Sequence, residues 1–324
     1  MIKNKTIKTL AATPVIGAAV RGGISLIVKR EAKLIAKHFS EYLQPVVAFK
    51  PEMRSEAFRI RHDVYCEELK FEPEREDKME QDEFDEYSRF CLIQHLPSNN
   101  YAGCVRIVSP HASANEEPLP IEKFCSNAIE GARHHPSQFE RSEICEISRL
   151  AVRPQFRRRK ADKFDGAAHG AINEQTYSEE ELRCFPFLAI GLYLSCAALA
   201  VRNGIHHAFV MMEPRLARSM SFLGIKFEQL GPAIDYHGLR APYYISAKML
   251  TRSLPVGFQA LMKNIDDEVG KGCMAARESL PQDDYIRRMY VPKQEKIWLP
   301  HDQRLQLPEH GHGKSPILLT ESFK

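Results

Sequence analysis

The sequence predicts an α/β protein with a mixed, mainly antiparallel sheet flanked by helices. In the first half, apolar strands at 90–95 and 103–108 are separated by the turn-forming residues 97–100, which is typical of an antiparallel hairpin. In the second half, strands at 205–212 and 225–230 alternate with helical segments, which is typical of a layered α/β sheet.

The region before the hairpin is predicted to be mostly helical. Residues 22–43 have apolar positions at helical spacing with lysines between them, so we expect an amphipathic helix. It would pack on the main domain, contact another subunit or lie on a membrane surface as a peripheral contact. A second helix is expected from Pro51 to just before Pro73. The acidic run 72–86 that follows reads as a solvated loop on its charge alone.

One apolar stretch, Ile144–Pro154, carries both a carboxylate and a guanidinium, on Glu146 and Arg149. Because a buried charge is costly unless it is paired, this strand is expected to hold either a structural ion pair or a reaction site. In a regular strand the two side chains would face opposite sides of the sheet. We therefore expect a β-bulge, which is common beside active sites, to bring both to one site.

The rest of the chain completes the fold class. The segment 161–184 is polar and aperiodic, so it is expected to be an insertion, and the chain beyond 300 is expected to be poorly ordered. Predicted domains are a helical extension at 1–48, the main domain at 49–252, and a helical extension with a tail at 253–324. Further helices are predicted at 187–202, 214–223, 258–269 and 283–290, and a last strand at 243–247.

Composition excludes several classes of protein. The 324 residues are 44% hydrophobic and 27% charged, which is ordinary for a soluble protein. The net charge of +3 is too small to favour a general nucleic-acid partner. Eight cysteines show no C-x-x-C motif, which argues against a zinc site and indicates reduced thiols in a cytoplasm. The uncharged stretch 185–201 is interrupted by Pro186 and Gly191, so a core helix is expected rather than a membrane span.

Four motifs occur in a fixed order between about residues 50 and 250. They are Arg61-x-x-x-Tyr65 followed by Phe71, Glu80-x-Asp82-x-Phe84-Asp85, Gly103-x-x-Arg106, and Glu146-x-Ser148-Arg149. In this order they resemble those of the acyl-homoserine-lactone autoinducer synthases and the long-chain N-acyl amino acid synthases. More loosely, they resemble an acyltransferase group associated with bacterial PEP-CTERM and exosortase systems.

The resemblance implies a GNAT-like (acyl-CoA N-acyltransferase) fold and an enzyme that transfers an acyl group to an amine. It implies no bound cofactor and no metal; acyl carrier protein or acyl-CoA would be the donor substrate and a small-molecule amine the acceptor. Tyr65 and Phe71 replace the Phe and Trp usual in autoinducer synthases, which favours another acceptor over a homoserine-lactone product. The matching motif residues are the candidate catalytic set: Glu146, Arg149, Arg106, Glu80, Asp82, Asp85 and Arg61.

A basic cluster follows the central strand and is the candidate donor-binding site. Its members are Arg153, Arg157, Arg158, Arg159 and Lys160. The cluster lacks the glycines of the acetyltransferases' phosphate loop, and glycine permits close backbone approach to a phosphate. We therefore expect it to meet the acidic surface of acyl carrier protein rather than free coenzyme A. A solvated basic face or a nucleic-acid contact is the alternative.

A protonated amine cannot attack a thioester, so a base must take its proton, and Glu146 is the candidate. Cys145 beside it is expected to be a buried thiol rather than a covalent nucleophile, because no histidine partner is evident. The predicted function is transfer of a fatty acyl group to the amine of an amino acid or related molecule. The alternatives are an autoinducer synthase and a non-catalytic acyl-carrier-protein sensor on the same scaffold.

Overall fold

A computed structural model describes residues 36–110, 117–156 and 187–290. In this part of the chain, eight strands form one mixed sheet with the order β1-β2-β3-β4-β5-β8-β6, and β7 pairs with β8. Only the β4–β5 pair among these is parallel, as the mainly antiparallel prediction required. The strands are β1 Leu43–Val47, β2 Ser88–His95, β3 Asn100–Val108, β4 Ile144–Val152, β5 His207–Met212, β6 Glu228–Gln229, β7 Ile234–Asp235 and β8 Leu239–Ser246.

Helices cover both faces of this sheet. The α-helices are α1 Pro51–Arg61, α2 Pro120–Phe124, α3 Ser126–Ile129, α4 Leu188–Arg202, α5 Pro214–Phe222, α6 Ala247–Ser253, α7 Val256–Ser279 and α8 Tyr285–Tyr290, and the start of the described chain, 36–42, is also helical. One face is covered by α4, with α7 packed on it and on β1. The other face is covered by α1 and by the short helices α2 and α3.

Helix α4 is the centre of the main core. It is apolar on all sides and almost entirely buried, which is typical of a helix inside a core rather than on a surface. A buried ion pair joins its last residue, Arg202, to Asp266 of α7, with Nε donating to Oδ1 at 2.8 Å. The core-helix prediction is therefore confirmed. No helix among the described residues is long and apolar enough to cross a membrane.

Strands β4 and β5 pair over only three residues each. Ile144 to Glu146 lie beside His207 to Phe209, after which each strand continues without the other. Just beyond this point β4 contains the expected bulge, because Arg106 pairs with Ser148 whereas Cys104 pairs with Ala151. Two residues of β4 thus oppose one of β3. Arg149, the first of the two, has a φ of 52°, in the left-handed region.

Several elements differ from the expectation. The helix from Pro51 ends at Glu68, before the predicted end near Pro73, and its last part, His62–Glu68, is a π-helix. Helix α7 is longer than the predicted 258–269, and β6 is a two-residue strand where 225–230 was predicted. Residue 43 begins a strand rather than ending a helix. The insertion 161–184, the tail beyond 300 and most of the helix 22–43 lie outside the described residues.

The regions before residue 49 and after residue 252 share the core of the sheet. Phe39 and Leu43 on one side, and Leu261 and Ile265 on the other, belong to the same buried cluster as α4. The domain boundaries remain predictions, and they do not separate independent cores.

Helix α8 packs against the start of β2. The Tyr290 hydroxyl accepts a hydrogen bond from the Phe90 backbone N–H at 3.1 Å and donates one to the Ala48 carbonyl at 3.2 Å. The Arg89 guanidinium also donates to the Met289 carbonyl. Tyr290 is fully buried, so α8 fills the place where the chain leaves β1.

Candidate active site

A cavity of about 340 Å³ opens on the α1–α2 face of the sheet, where β4 and β5 separate. The bulge places Glu146, Ser148 and Arg149 of β4 together in its wall. Its remaining lining residues are Tyr65, Phe71, Glu72, Asp82, Glu83, Phe84, Arg106, Pro120, Phe124, Met211, Tyr236, His237 and Arg240. The strand therefore presents a carboxylate, a hydroxyl and a guanidinium to one space.

Glu146 is 2% exposed and lies at the last paired position of β4 with β5. Its Oε2 accepts a hydrogen bond from the backbone N–H of Ile121 in α2 at 2.6 Å, which leaves Oε1 for a ligand. Burial raises the pKa of Glu146 to about 8, although the Ile121 N–H and the nearby Arg106 guanidinium act in the opposite direction. A carboxyl group with this pKa can exchange a proton near neutral pH.

The acidic run is not the solvated loop that its charge alone suggested. Residues Glu83–Tyr87 form a 3₁₀ helix capped by Asp82, whose side chain accepts from the Phe84 N–H at 3.0 Å. Asp85 accepts in return from the Asp82 N–H at 2.8 Å, so the two carboxylates form a capping box. Local capping thus fixes the direction in which this acidic segment presents its charges.

Arg61 is fully buried at the centre of an ionic network. Its Nε donates to Glu80, and its Nη1 donates to Asp85 at 2.7 Å. Glu80 is 1% exposed and Asp85 5%, so two carboxylates of the acidic run lie inside the protein. They are buried because a guanidinium from α1 meets them there, and a buried charge requires such a partner.

Two further arginines extend the network into the cavity. Arg106 of β3 donates through Nη1 to Asp82 and, at 2.9 Å, to Asp85, and through Nε to the Ser148 hydroxyl at 3.0 Å. Arg149 places Nη2 within 3.3 Å of both Glu80 and Asp82. Six of the seven charged groups in the four motifs, all except Glu146, therefore belong to one connected network.

The network also sets charge states. Burial by itself would raise the pKa of Glu80, but the hydrogen bond and charge of Arg61 lower it overall. The pKa of Asp85 is likewise lowered, because the charges of Arg61 and Arg106 outweigh the effect of burial. In contrast to Glu146, these acids are held ionised, so two kinds of carboxylate lie within one site.

Of the predicted basic cluster, only Arg153 falls within the described residues. Its Nε donates to Asp63 at 2.7 Å and its Nη1 to Glu56 at 2.9 Å, so it is engaged by α1 and the π-helix. This pairing leaves its charge neutralised rather than presented to a donor. Arg157, Arg158, Arg159 and Lys160 lie outside the described residues.

Aromatic rings form the other walls of the cavity. Phe124 of α2 stacks on Tyr236 with centroids 6.4 Å apart, and Phe84 contacts Phe124 edge to face at 5.8 Å. The Tyr65 hydroxyl donates to the Leu150 carbonyl at 2.7 Å and so holds the separated half of β4. Tyr236 lies between β7 and β8, and none of the four motifs includes it, so the sequence did not mark it as part of the site.

Cys145 and the cluster of His62, Asp63 and Glu67 are two further candidates for reactive side chains. Cys145 is fully buried, and burial raises its thiol pKa to about 12, which agrees with the predicted buried thiol. His62, Asp63 and Glu67 lie close enough together to be considered as metal ligands. However, His62 Nε2 accepts from the Arg75 N–H at 3.1 Å, and Asp63 pairs with Arg153.

Comparisons with known proteins were made for the sequence and for the fold. Residues 60–165 match the acetyltransferase (GNAT) domain family, and this segment contains all seven candidate catalytic residues. Together with the mixed sheet flanked by helices, this match confirms the predicted GNAT-like fold. No curated protein sequence matches the chain.

Solved structures with a similar fold include members of both families that the four motifs resemble. The acyl-homoserine-lactone synthase LasI is 18% identical, over 66% of this chain and 95% of its own, with a TM-score of 0.43. TofI, crystallised with an inhibitor and MTA, is 15% identical over 66% and 98%, with a TM-score of 0.46. FeeM, an N-acyl amino acid synthase from uncultured soil microbes, is 14% identical over 65% and 94%, with a TM-score of 0.43.

Proposed function

We propose that this protein is an N-acyltransferase that moves a fatty acyl group from a thioester to the amine of an amino acid or related small molecule. The observation that carries the proposal is Glu146, a buried carboxyl group with a raised pKa at the point where β4 and β5 separate. The GNAT domain match supports acyl transfer as the type of reaction.

Glu146 is suited to take the proton that the amine must lose. With a pKa of about 8, roughly one tenth of the carboxyl groups are ionised at pH 7. A free amino acid keeps its ammonium proton at pH 7, so an ionised Glu146 is needed to remove that proton before the nitrogen can attack. The amine nitrogen then bonds to the thioester carbonyl carbon, the carbon–sulfur bond breaks, and the leaving thiolate takes up a proton.

The bulge in β4 supplies hydrogen-bond donors near this reaction. Arg149 and Leu150 are not paired with residues of β3, and β4 is no longer paired with β5 at these two positions. We propose the backbone N–H groups of these two residues as donors to the oxyanion that forms when an amine attacks a carbonyl. Because the Tyr65 hydroxyl holds the Leu150 carbonyl, this segment is fixed before substrate binds.

In this proposal the buried members of the ionic network act as positioning residues. Arg61, Glu80 and Asp85 do not line the cavity. They hold Asp82, Arg106 and Arg149, which do, and Arg106 in turn holds the Ser148 hydroxyl. The donor is proposed to be an acyl carrier protein that meets Arg157 to Lys160, because those residues offer charge without phosphate-loop glycines.

The test is mass spectrometry of the products. Purified protein is given a long-chain acyl carrier protein or acyl-CoA together with a panel of amino acids and other amines, and lipids from expressing cells are compared with an empty-vector control. An N-acyl amino acid that requires the protein supports the proposal. An N-acyl-homoserine lactone would identify an autoinducer synthase. Absence of thioester consumption with every amine would contradict catalysis and favour a carrier-protein sensor.

A further inference from the structure

The cavity contains three arginines, and they differ in how their charge is compensated. Arg106 and Arg149 are each paired with carboxylates of the acidic run. Arg240 of β8 has no ion pair or side-chain hydrogen bond among the described residues, and its Nε is buried without a partner. One guanidinium therefore faces the cavity with its charge uncompensated.

The cost of this arrangement falls on Nε. Arg240 as a whole is half-buried, but a buried N–H donor without a hydrogen bond is unfavourable. What the structure offers Arg240 instead is the ring of Phe71, with the guanidinium carbon 5.9 Å from the ring centroid. A cation–π contact of this kind orients a guanidinium. It leaves unused the N–H donors, which lie in the plane of the guanidinium.

We propose that Arg240 binds a carboxylate of the acceptor, so that the acceptor class is amines that also carry a carboxylate. This inference rests on the proposed function, since it assigns the second end of the same substrate. A planar guanidinium fork matches the two oxygens of a carboxylate, and such charge-assisted pairs are among the strongest hydrogen bonds in proteins. With Glu146 at the amine, the cavity then meets both charged ends of an amino acid.

The position of Arg240 favours the acceptor over the donor as the source of the anion. Arg240 and Glu146 line the same cavity of about 340 Å³, so an anion bound by Arg240 lies near the reacting atoms. The acyl group and the pantetheine arm of the donor are uncharged there, and the donor's phosphate lies at the far end of that arm. The carboxylate of an amino acid, in contrast, is separated from its amine by a single carbon.

The experiment compares matched acceptors that differ only in this group. Initial rates are measured with the best amino acid found and with its carboxamide, for the parent, for Arg240→Gln and for Arg215→Gln. Arg215 is an exposed arginine of α5 outside the cavity, so it controls for the loss of one positive charge. Thermal denaturation of each variant shows whether it is folded.

We expect the parent to prefer the acid over the carboxamide by about 10- to 100-fold in kcat/KM. In Arg240→Gln this preference should fall to near one through a higher KM for the acid, whereas Arg215→Gln should keep it. Equal use of acid and carboxamide by the parent would overturn the inference, and this comparison needs no variant. A loss in Arg240→Gln that is equal for both acceptors, or that appears only in the KM for acyl-CoA and not for acyl-pantetheine, would also overturn it.

Failure of the proposed function is distinguishable from failure of this inference. If no amine is acylated, binding of each amino acid of the panel and of its carboxamide is measured by calorimetry on the parent and on Arg240→Gln. Tighter binding of the acid that depends on Arg240 would support carboxylate recognition without catalysis. Binding of the acid that is equal in both proteins, or absent, would overturn it.

Discussion

Glu146 on β4 and Ile121 on α2 are joined by a hydrogen bond of 2.6 Å from the Ile121 backbone N–H to the Glu146 carboxylate. This contact ties the candidate base to the short helix that carries Phe124, a wall of the cavity. It occupies one carboxylate oxygen and leaves the other facing the space where an acceptor would bind.

Replacing Glu146 by Gln should lower the chemical step by about 10²- to 10⁴-fold at pH 7, because Gln keeps the size of the side chain but cannot take a proton. The parent rate should rise as pH approaches about 8, where Glu146 ionises. The defect should shrink at higher pH, since the amine is then already deprotonated. Single-turnover rates across this range test the prediction, with the exposed Glu130→Gln as the control. A variant that turns over like the parent at pH 7 would make Glu146 structural.

The same substitution should change how stability depends on pH. The native pKa of Glu146 is raised from 4.5 to about 8, so the native state holds this proton more tightly than the unfolded chain does. Its contribution is fully present below pH 4.5 and is lost as pH rises towards 8, an effect on the order of several kcal/mol. Denaturant unfolding of the parent and of Glu146→Gln at several pH values measures it. Parallel curves for the two proteins would contradict the raised pKa.

Removing Arg61 should destabilise the fold much more than removing a surface arginine. Arg61→Met leaves Glu80 and Asp85 buried without their main partner, and stranding a buried charge costs about 3 to 5 kcal/mol. The control Arg59→Met removes a pair in which the arginine is 51% exposed, and such pairs contribute about 0 to 1 kcal/mol. The prediction is tested by measuring the free energy of unfolding of both variants and of the parent. Equal losses would show that the buried network is energetically unimportant.

The donor proposal concerns Arg157 and Arg158. Reversing both charges to Glu should raise the KM for acyl carrier protein and reduce its dependence on salt, because a screened attraction between the two proteins is lost. The KM for acyl-CoA should change less. Reversing Arg215 and Lys263, two exposed cations of α5 and α7, controls for net charge. An unchanged KM for the carrier protein would exclude this segment as its docking surface.

The sequence alone predicted those features of the site that depend on residues close together in the chain. It was less informative about features that form where distant segments meet. The spacing in Glu146-Ile-Ser-Arg149 required a bulge if both charges were to serve one site, and the bulge is present. The acidic run was harder to interpret, because the burial of Glu80 depends on Arg61, which lies on another element.

Other features were not predictable from local patterns. Ile121 acts through its backbone N–H, which every non-proline residue has, so its side chain gave no signal. Arg240 belongs to no motif and is distinguished only by the absence of a partner among the described residues. In contrast, helix α7 was predicted too short although its buried residues Val269, Cys273 and Ala276 continue the helical spacing.

The burial of Tyr290 also has a consequence for the order in which the newly made chain acquires its structure. Its hydroxyl joins Phe90 and Ala48, so these contacts cannot form until residue 290 has left the ribosome. At usual rates of translation this is on the order of tens of seconds after β1 has been synthesised. During that interval the Phe90 N–H and the Ala48 carbonyl lack the Tyr290 hydroxyl, and a chaperone that recognises unpaired backbone groups has time to bind there.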